Sequence, residues 1–380
     1  MARQAPSQLA DPRPLAMPSW LRIGLPGCFI ALLAGLLVNL AMPSSQPYRV
    51  AVDALEDRSD LADESRCADC HSQATYFWET GHAQTLTLAT DEPSRALLAT
   101  FNSSELPRSE DTLVQVLEDR IVARHHQGEE FHEIELKWCF GSGQHARTWT
   151  STMSDSIGGT DQLEFRWTWY HSENSFDITP GQPLEPSPGV FGSLGVLFDG
   201  PKSRRCFACH ATYLPESNGA IDEPKIHAGV TCQRCHGPRG KHVATSGEHL
   251  NQQWLYSDRM TSIHRCAQCH RRAEELEPDT IRAGNPDIVR FQPVGMVQSA
   301  CFINSEMTCT TCHDPHLPFS RQDSRGIWQC VQCHNPNQDD HVLCGAGNGD
   351  DCIRCHMPSV EMSTPVTFVD HWIRVVSEHE

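Results

Sequence analysis

Seven short segments of the chain share the pattern Cys-x-x-Cys-His, in which two thiols three residues apart are followed at once by an imidazole. Two such thiols can add to the two vinyl groups of one haem, and the adjacent histidine then becomes the proximal ligand of the iron. Residue frequencies give about 0.05 such pentapeptides by chance in a chain of this composition. The repeated cysteines and histidines are Cys67, Cys70 and His71; Cys206, Cys209 and His210; Cys232, Cys235 and His236; Cys266, Cys269 and His270; Cys309, Cys312 and His313; Cys330, Cys333 and His334; and Cys352, Cys355 and His356.

Two other chemistries use paired cysteines, and neither fits this pattern. A structural zinc site needs two pairs for each metal ion and has no use for a histidine after every second cysteine. A redox dithiol occurs once in a domain, within a strand–helix–strand context that this sequence lacks. The motifs therefore predict seven covalently bound c-type haems.

A six-coordinate haem iron also needs a distal ligand, and histidine is abundant here. The chain contains 21 histidines, so twice as many remain as there are motifs. The best-placed candidates lie close to a motif or in the C-terminal segment: His82, His227, His242, His316 and His371. His264 and His341 are weaker candidates, whereas the histidines between residues 125 and 171 fit a surface or loop role. Spacing does not assign a distal histidine to a particular haem.

The elements that must position these residues differ along the chain. Between residues 201 and 380 Pro and Gly interrupt nearly every periodic pattern, and a short helix is predicted there only around 266–276. Another short helix is predicted around 64–90, near the first motif. Such a segment buries too few side chains to make a core from protein alone. We expect the porphyrins to form the core and the chain to wrap around them.

Residues 101–200 follow a different pattern. In LEFRWTWYH, residues 163–171, apolar and polar side chains alternate, and EEFHEIELKWCF, residues 129–140, alternates with one slip near His132. Alternation of this kind is typical of half-buried strands, and glycine pairs supply turns between them. The sequence predicts a small antiparallel β unit inserted between the first motif and the other six.

Cysteines outside the motifs are Cys28, Cys139, Cys301 and Cys344. Cys28 lies in the apolar N-terminal segment. A disulfide between two of the other three is one interpretation. Single buried thiols are the other, since three is an odd number.

The N-terminal segment is apolar. Residues 23–42 carry no charge and are long enough to cross a bilayer, and Arg3, Arg13 and Arg22 precede them. By the positive-inside rule the N-terminus stays in the cytoplasm and the rest of the chain is exported. A cleaved signal peptide is the alternative. We therefore divide the chain into a cytoplasmic tail (1–18), a transmembrane anchor or uncleaved signal (19–42), a linker (43–66), a first haem segment (67–100), a β-rich insertion (101–200) and a six-haem domain (201–380).

The net charge of −18 and the pI of about 5.5 argue against a nucleic-acid partner. The motifs predict redox proteins as partners instead, with quinol or a membrane protein near the anchor as the electron donor. The predicted location is the inner membrane, crossed once, with the bulk of the chain in the periplasm.

Several motifs resemble those of a known family. GVTCQRCHGPRGKH (229–242), MTCTTCHDPH (307–316) and CHMP followed by DHWIR (355–374) are similar to segments of bacterial multihaem c-type cytochromes related to hydroxylamine oxidoreductase and its tetrahaem cytochrome partner. The resemblance covers about residues 60–95 and 200–375. It implies a mostly irregular, short-helical multihaem cytochrome c, and it implies distal-ligand roles for His82, His242 and His316.

Two functions follow as expectations. The first is a membrane-anchored cytochrome with seven haems that transfers electrons on the periplasmic side. The second is an oxidoreductase that acts on a small nitrogen or sulfur species at a five-coordinate haem. The number of spare histidines favours the first.

Overall fold

The computed structural model describes residues 60–106, 111–154, 160–249, 258–322, 325–334, 351–362 and 365–376. All of them belong to one unit, Tyr48–Glu380. The predicted tail and anchor, together with His341, Cys28 and Cys344, lie outside the described residues.

Antiparallel strands fill most of the chain from residue 86 to residue 198. One sheet has the strand order β1-β5-β6-β7-β8, with β9 also paired to β7, and a second has the order β2-β3-β4. The strands are β1 (Leu86–Leu88), β2 (Thr112–Val116), β3 (Ile121–Gln127), β4 (Glu130–Leu136), β5 (Trp138–Phe140), β6 (Ala146–Ser154), β7 (Thr160–Tyr170), β8 (Ser175–Ile178) and β9 (Gly195–Phe198).

Aromatic side chains form the core of this β unit. Phe101, Trp149, Phe165 and Trp167 are fully buried there, and the ring of Phe101 lies 5.5 Å from that of Trp167. Because alternate residues of β7 point to the same face, its apolar positions all reach this core.

The segment 130–140 is two strands. β4 pairs with β3 and β5 pairs with β1 and β6, so the two strands belong to different sheets. Phe131 is exposed on β4 and packs under the guanidinium of Arg124, at 4.6 Å. The single strand suggested by the alternation is wrong because the chain changes sheets at Lys137, whose main chain bonds to Ala89 and Thr150.

The remainder of the described chain consists of short helices and hairpins. The helices are α1 (Ser94–Ala99), α2 (Gly200–His210), α3 (Cys232–His236), α4 (Gly240–Ala244), α5 (Arg259–His270), α6 (Gln292–Gln298), α7 (Ala300–Ile303), α8 (Cys309–Cys312), α9 (Arg325–Cys333) and α10 (Cys352–His356). Short 3₁₀ helices span Glu64–Asp69, Ser72–Glu79, Phe101–Ser103, Glu223–Lys225, Ala273–Glu275, Pro278–Thr280 and Phe319–Arg321. Two-stranded pairs join β10 (Ala211–Tyr213) to β13 (His227–Ala228), β11 (Glu216–Ser217) to β12 (Ala220–Ile221), and β14 (Ser359–Glu361) to β15 (Thr367–Val369).

Few apolar side chains are buried in this helical part. One small cluster of Ile263, Met296 and Phe302 packs between α5, α6 and α7. A cluster of this size does not offset the conformational entropy of more than a hundred ordered residues. The helices therefore need additional buried material, which large apolar porphyrins would provide.

Candidate haem-binding site

The two cysteines of six of the seven motifs lie on α-helices. The first begins in the 3₁₀ helix Glu64–Asp69, and the others lie on α2, α3, α5, α8, α9 and α10. The amide of His71 donates to the carbonyl of Cys67 at 2.9 Å, and His313 repeats this bond to Cys309 at 3.0 Å. Residues three apart on a helix share a face, so both sulfurs of each of the six α-helical motifs lie on the same side.

An aspartate caps each of the two longest motif helices. The Asp199 carboxylate accepts a hydrogen bond from the Lys202 amide at 2.9 Å, at the start of α2. Asp258 does the same for Thr261 at 2.9 Å, at the start of α5. N-cap aspartates satisfy free amides and interact favourably with the helix dipole. Each cap fixes where its helix begins, and therefore where the motif at the other end lies.

Three proximal histidines face a second histidine with ring planes 17° to 33° apart. The centroids of His71 and His242 are 6.2 Å apart, with 24° between the planes. Those of His236 and His316 are 5.9 Å apart at 17°. Those of His313 and His371 are 6.1 Å apart at 33°. All three facing residues are distal candidates from the sequence.

A fourth pair has crossed rings. His82 and His270 have centroids 6.3 Å apart, with 83° between their planes. Gly229 enables the approach of the His82 segment to α3, because a Cβ at this residue would lie 2.2 Å from the Ala83 carbonyl oxygen. The Val230 amide then donates to the His82 carbonyl at 2.9 Å.

The separation within these pairs matches two imidazoles on opposite sides of one iron. A metal–imidazole nitrogen bond is about 2 Å long and the ring centre lies about 1.1 Å beyond the nitrogen, which would place the two centres about 6.2 Å apart. Directly stacked rings would be much closer. The four pairs therefore fit a haem with two axial histidines.

Hydrogen bonds at Nδ1 fix the ring orientation of the facing histidines. Nδ1 of His242 lies 3.1 Å from the His249 carbonyl oxygen, and Nδ1 of His371 lies 2.9 Å from that of Val369. A carbonyl oxygen can only accept, so Nδ1 carries the proton and Nε2 keeps its lone pair. This is the tautomer that binds a metal through Nε2.

His270 and His316 have side-chain acceptors in the same position. Nδ1 of His270 lies 3.0 Å from Oε1 of Gln292, and Nδ1 of His316 lies 3.0 Å from Oδ1 of Asp314. Acceptors of this kind hold a ligating ring in place and increase its basicity.

Burial keeps several of these rings neutral. Loss of hydration lowers the pKa of His82, of His236 and of His371 to about 4. His82 has solvent-accessible surface although protein surrounds it on most sides, as expected of a side chain that lines a space for a large ligand. Since only neutral imidazole binds iron, the environment favours ligation.

Asp370 positions the C-terminal histidine. Its buried carboxylate accepts the amides of Gly284 at 2.8 Å and Trp372 at 2.9 Å and pairs with Arg374 at 2.7 Å. The carbonyl oxygen of Arg374 in turn lies 2.9 Å from Nδ1 of His356. The segment DHWIR thus holds one facing histidine and one proximal histidine.

Known proteins match parts of this chain. Residues 197–237 match the family model described as cytochrome c554 and c-prime. Multiheme cytochrome MtrA of Shewanella baltica is 28% identical over 188 residues, which cover 43% of this chain and 56% of that protein. Dissimilatory sulfite reductase MccA of Wolinella succinogenes is 24% identical over 177 residues, which cover 36% of this chain and 23% of that protein. The matched region is thus about half of the length of the first relative. No solved structure matches the chain significantly.

These matches support a multihaem c-type cytochrome. The family model spans the motifs on α2 and α3, which agrees with covalent attachment of c-type haem. The relation to hydroxylamine oxidoreductase stays a prediction, and so does the number of seven haems.

The chain places its other candidate ligands differently. The ring of His227 faces no proximal histidine: its Nε2 lies 3.2 Å from the buried carboxylate of Glu64. His264 lies on α5, and in the described parts of the chain no ring of a motif histidine faces it. Nδ1 of proximal His210 lies 2.7 Å from the Thr85 hydroxyl.

Cysteines of different motifs are neighbours. Cys67 contacts Cys232, and Cys330 lies near Cys352. Cys266 contacts Cys309. These contacts place the attachment segments of different motifs side by side.

The cysteines outside the motifs are unpaired where they are described. Cys139, on β5, is fully buried beside Arg147, and burial raises the pKa of its thiol. Cys301 is half-buried near Cys312 and Cys333. Neither forms a disulfide with another described cysteine.

Three supporting residues were not identified from the sequence. Thr85 and Gln292 hold the Nδ1 atoms of proximal histidines, and Glu64 binds His227. Each lies far along the chain from the histidine it contacts. Nothing in the local pattern around these residues marks them.

In the part of the chain that the structure describes, no helix is both long and apolar enough to cross a bilayer. The predicted anchor, 19–42, falls outside that part.

Proposed function

We propose that the chain is a cytochrome with seven haems that transfers electrons on the periplasmic side of a membrane to which residues 19–42 anchor it. Quinol or a membrane protein would donate electrons, and a soluble redox protein would receive them. The observation that carries this proposal is the set of four facing histidine pairs.

A haem held by these residues would supply one-electron chemistry between ferrous and ferric iron. The residues of this chain support that role in two ways. The pairs His71–His242 and His236–His316 would occupy both axial positions and leave no site for a substrate. Burial lowers the pKa of His236 to about 4, which keeps its imidazole neutral.

Haem content and coordination test the proposal directly. A pyridine haemochrome assay of the purified full chain should give seven haems per chain, and a value clearly below seven would refute it. Electron paramagnetic resonance (EPR) of the oxidised protein should be dominated by low-spin haem. Extraction from membranes should require detergent, whereas a variant that lacks residues 1–42 and is exported with a cleavable signal should be soluble.

A second function has one specific observation in its favour. The proximal His210 is enclosed by the β unit: Phe140 packs against its ring at 5.2 Å, and Thr85 bonds to its Nδ1. No histidine ring faces it within the described residues. A haem there could bind a small sulfur or nitrogen species, and one relative is a dissimilatory sulfite reductase. A high-spin ferric signal that shifts with sulfite, nitrite or cyanide would favour this enzyme, and purely low-spin haem would exclude it.

A further inference from the structure

Three motifs meet at the side chain of Arg234. This arginine lies between the two cysteines of α3, and its Nη2 donates to the Ala208 carbonyl of the α2 motif at 3.1 Å. It also donates to the sulfur of Cys269 on α5. One half-buried cation therefore touches the attachment segments of two other motifs while belonging to a third.

The cysteines around Arg234 confirm that the three motifs converge. Cys209 on α2 contacts Cys269 on α5, and the Cys209 sulfur lies 4.0 Å from the Gln268 carbonyl oxygen. Cys235 on α3 lies near both Cys266 and Cys269. Cys266 also contacts Cys309 on α8, so the motif on α5 lies beside the motifs on α2, α3 and α8.

A fixed positive charge at such a place acts on redox potential. The oxidised form of a haem carries one more positive charge than the reduced form, so a nearby cation stabilises the reduced form and raises the midpoint potential. Partial burial weakens screening by water and salt. Arg265 adds a second positive charge near Cys235.

We propose that the α5 motif is a three-way junction of the electron path, connecting the motifs on α2, α3 and α8, and that Arg234 sets the potential of the haems at this junction. Electrons arriving from α3 or α8 would be held there because the charge favours reduction. The branch to α2 leads to His210 and the β unit. This inference rests on the proposed electron-transfer function and adds to it the place where the path divides and the residue that controls it.

The test is a spectroelectrochemical titration of the full holoprotein with three variants. Arg234→Gln removes the charge, and Arg234→Lys keeps it. Arg354→Gln changes the exposed arginine at the same motif position on α10 and serves as the matched control. We expect Arg234→Gln to move the midpoint potential of at least one haem to a more negative value, Arg234→Lys to stay close to the parent, and Arg354→Gln to produce the smaller shift.

Other outcomes overturn the inference. An unchanged titration curve in Arg234→Gln, or a shift no larger than that of Arg354→Gln, would show that the charge does not set these potentials. Equal shifts in Arg234→Gln and Arg234→Lys would point to geometry instead of charge. Loss of haem from either Arg234 variant would assign the arginine to assembly. The haemochrome count of the parent protein tests the electron-transfer function separately.

Discussion

His242 faces His71 across 6.2 Å with nearly parallel rings, although 171 residues along the chain separate them. The backbone carbonyl of His249 fixes the ring of His242 through Nδ1. The separation equals about two iron–nitrogen bonds and two half-rings, so these two imidazoles would hold one haem iron between them.

Replacement of His242 by alanine should open one axial position. We expect the variant to keep its full haem content and to gain one high-spin ferric haem per chain, visible by EPR and in the optical spectrum, because the proximal His71 alone gives a five-coordinate iron. His249→Ala is the matched control: it removes a nearby imidazole but keeps the carbonyl that orients His242. A fully low-spin His242→Ala variant would contradict this assignment.

The angle between facing rings predicts a spectroscopic difference. Parallel imidazole planes split the two iron orbitals that accept their π electrons, whereas perpendicular planes leave these orbitals nearly equal in energy. His82 and His270 cross at 83°, while His236 and His316 meet at 17°. EPR of the oxidised protein should therefore show one low-spin signal with a large maximal g value beside rhombic low-spin signals.

His82→Ala should remove that large-g signal and leave the rhombic signals in place. If the large-g signal survives the substitution, another haem produces it and the His82–His270 pair does not ligate iron as proposed.

The sequence identified candidate histidines of the site, but it did not show which distal histidine faces which proximal histidine. The stretch GVTCQRCHGPRGKH marked His242 as a candidate, but its proximal partner belongs to a motif 171 residues earlier. Pairing depends on how loops close around a ligand, and spacing carries no information about that closure. His227 shows the same limit: it stands near a motif as a ligand would, yet a buried carboxylate from residue 64 binds it.

The β unit shows a similar division. The alternation in residues 163–169 lies within β7, because a strand with one buried face must alternate. The alternation gave no sign of the break between β4 and β5, because apolar residues continue to alternate from Leu136 to Trp138 on either side of Lys137. The helical part carried little periodic signal because its predicted core is porphyrin instead of side chains.

Glu64 should stabilise the fold in a pH-dependent way. Burial raises the pKa of its carboxyl, but hydrogen bonds from His227, Thr231 and the Gln233 amide together outweigh burial and leave the pKa below its ordinary value of 4.5. A group with a depressed pKa in the folded state contributes stability that is fully present above its unfolded pKa and is lost as the pH falls through the folded pKa.

Glu64→Gln should therefore lower the free energy of unfolding at pH 7 by about 1–3 kcal/mol, as expected when a buried charged hydrogen-bond acceptor is lost. The difference from the parent should shrink as the pH falls below 4.5. Denaturant titrations of the parent and variant holoproteins, followed by circular dichroism at pH 7 and below pH 4.5, measure this difference in the free energy of unfolding. Glu79→Gln is the control, since Glu79 pairs with Arg321 at the surface, at 3.8 Å, and exposed pairs contribute little. A pH-independent difference would contradict this account of Glu64.

Gln292 should tune the midpoint potential of the haem that His270 is predicted to ligate. Its Oε1 accepts the Nδ1 proton of His270 at 3.0 Å, which makes the imidazole a stronger electron donor and favours ferric iron. Gln292→Leu should raise the midpoint potential of that haem, which a spectroelectrochemical titration would show. Gln298→Leu, an exposed substitution at the end of the same helix α6, should leave the titration unchanged.

Arg234 acts on the same haem in the opposite direction, because its positive charge raises the midpoint potential whereas Gln292 lowers it. Gln292→Leu combined with Arg234→Gln should therefore return the midpoint potential toward that of the parent. If the two single substitutions shift the potential in the same direction, one of the two assignments is wrong.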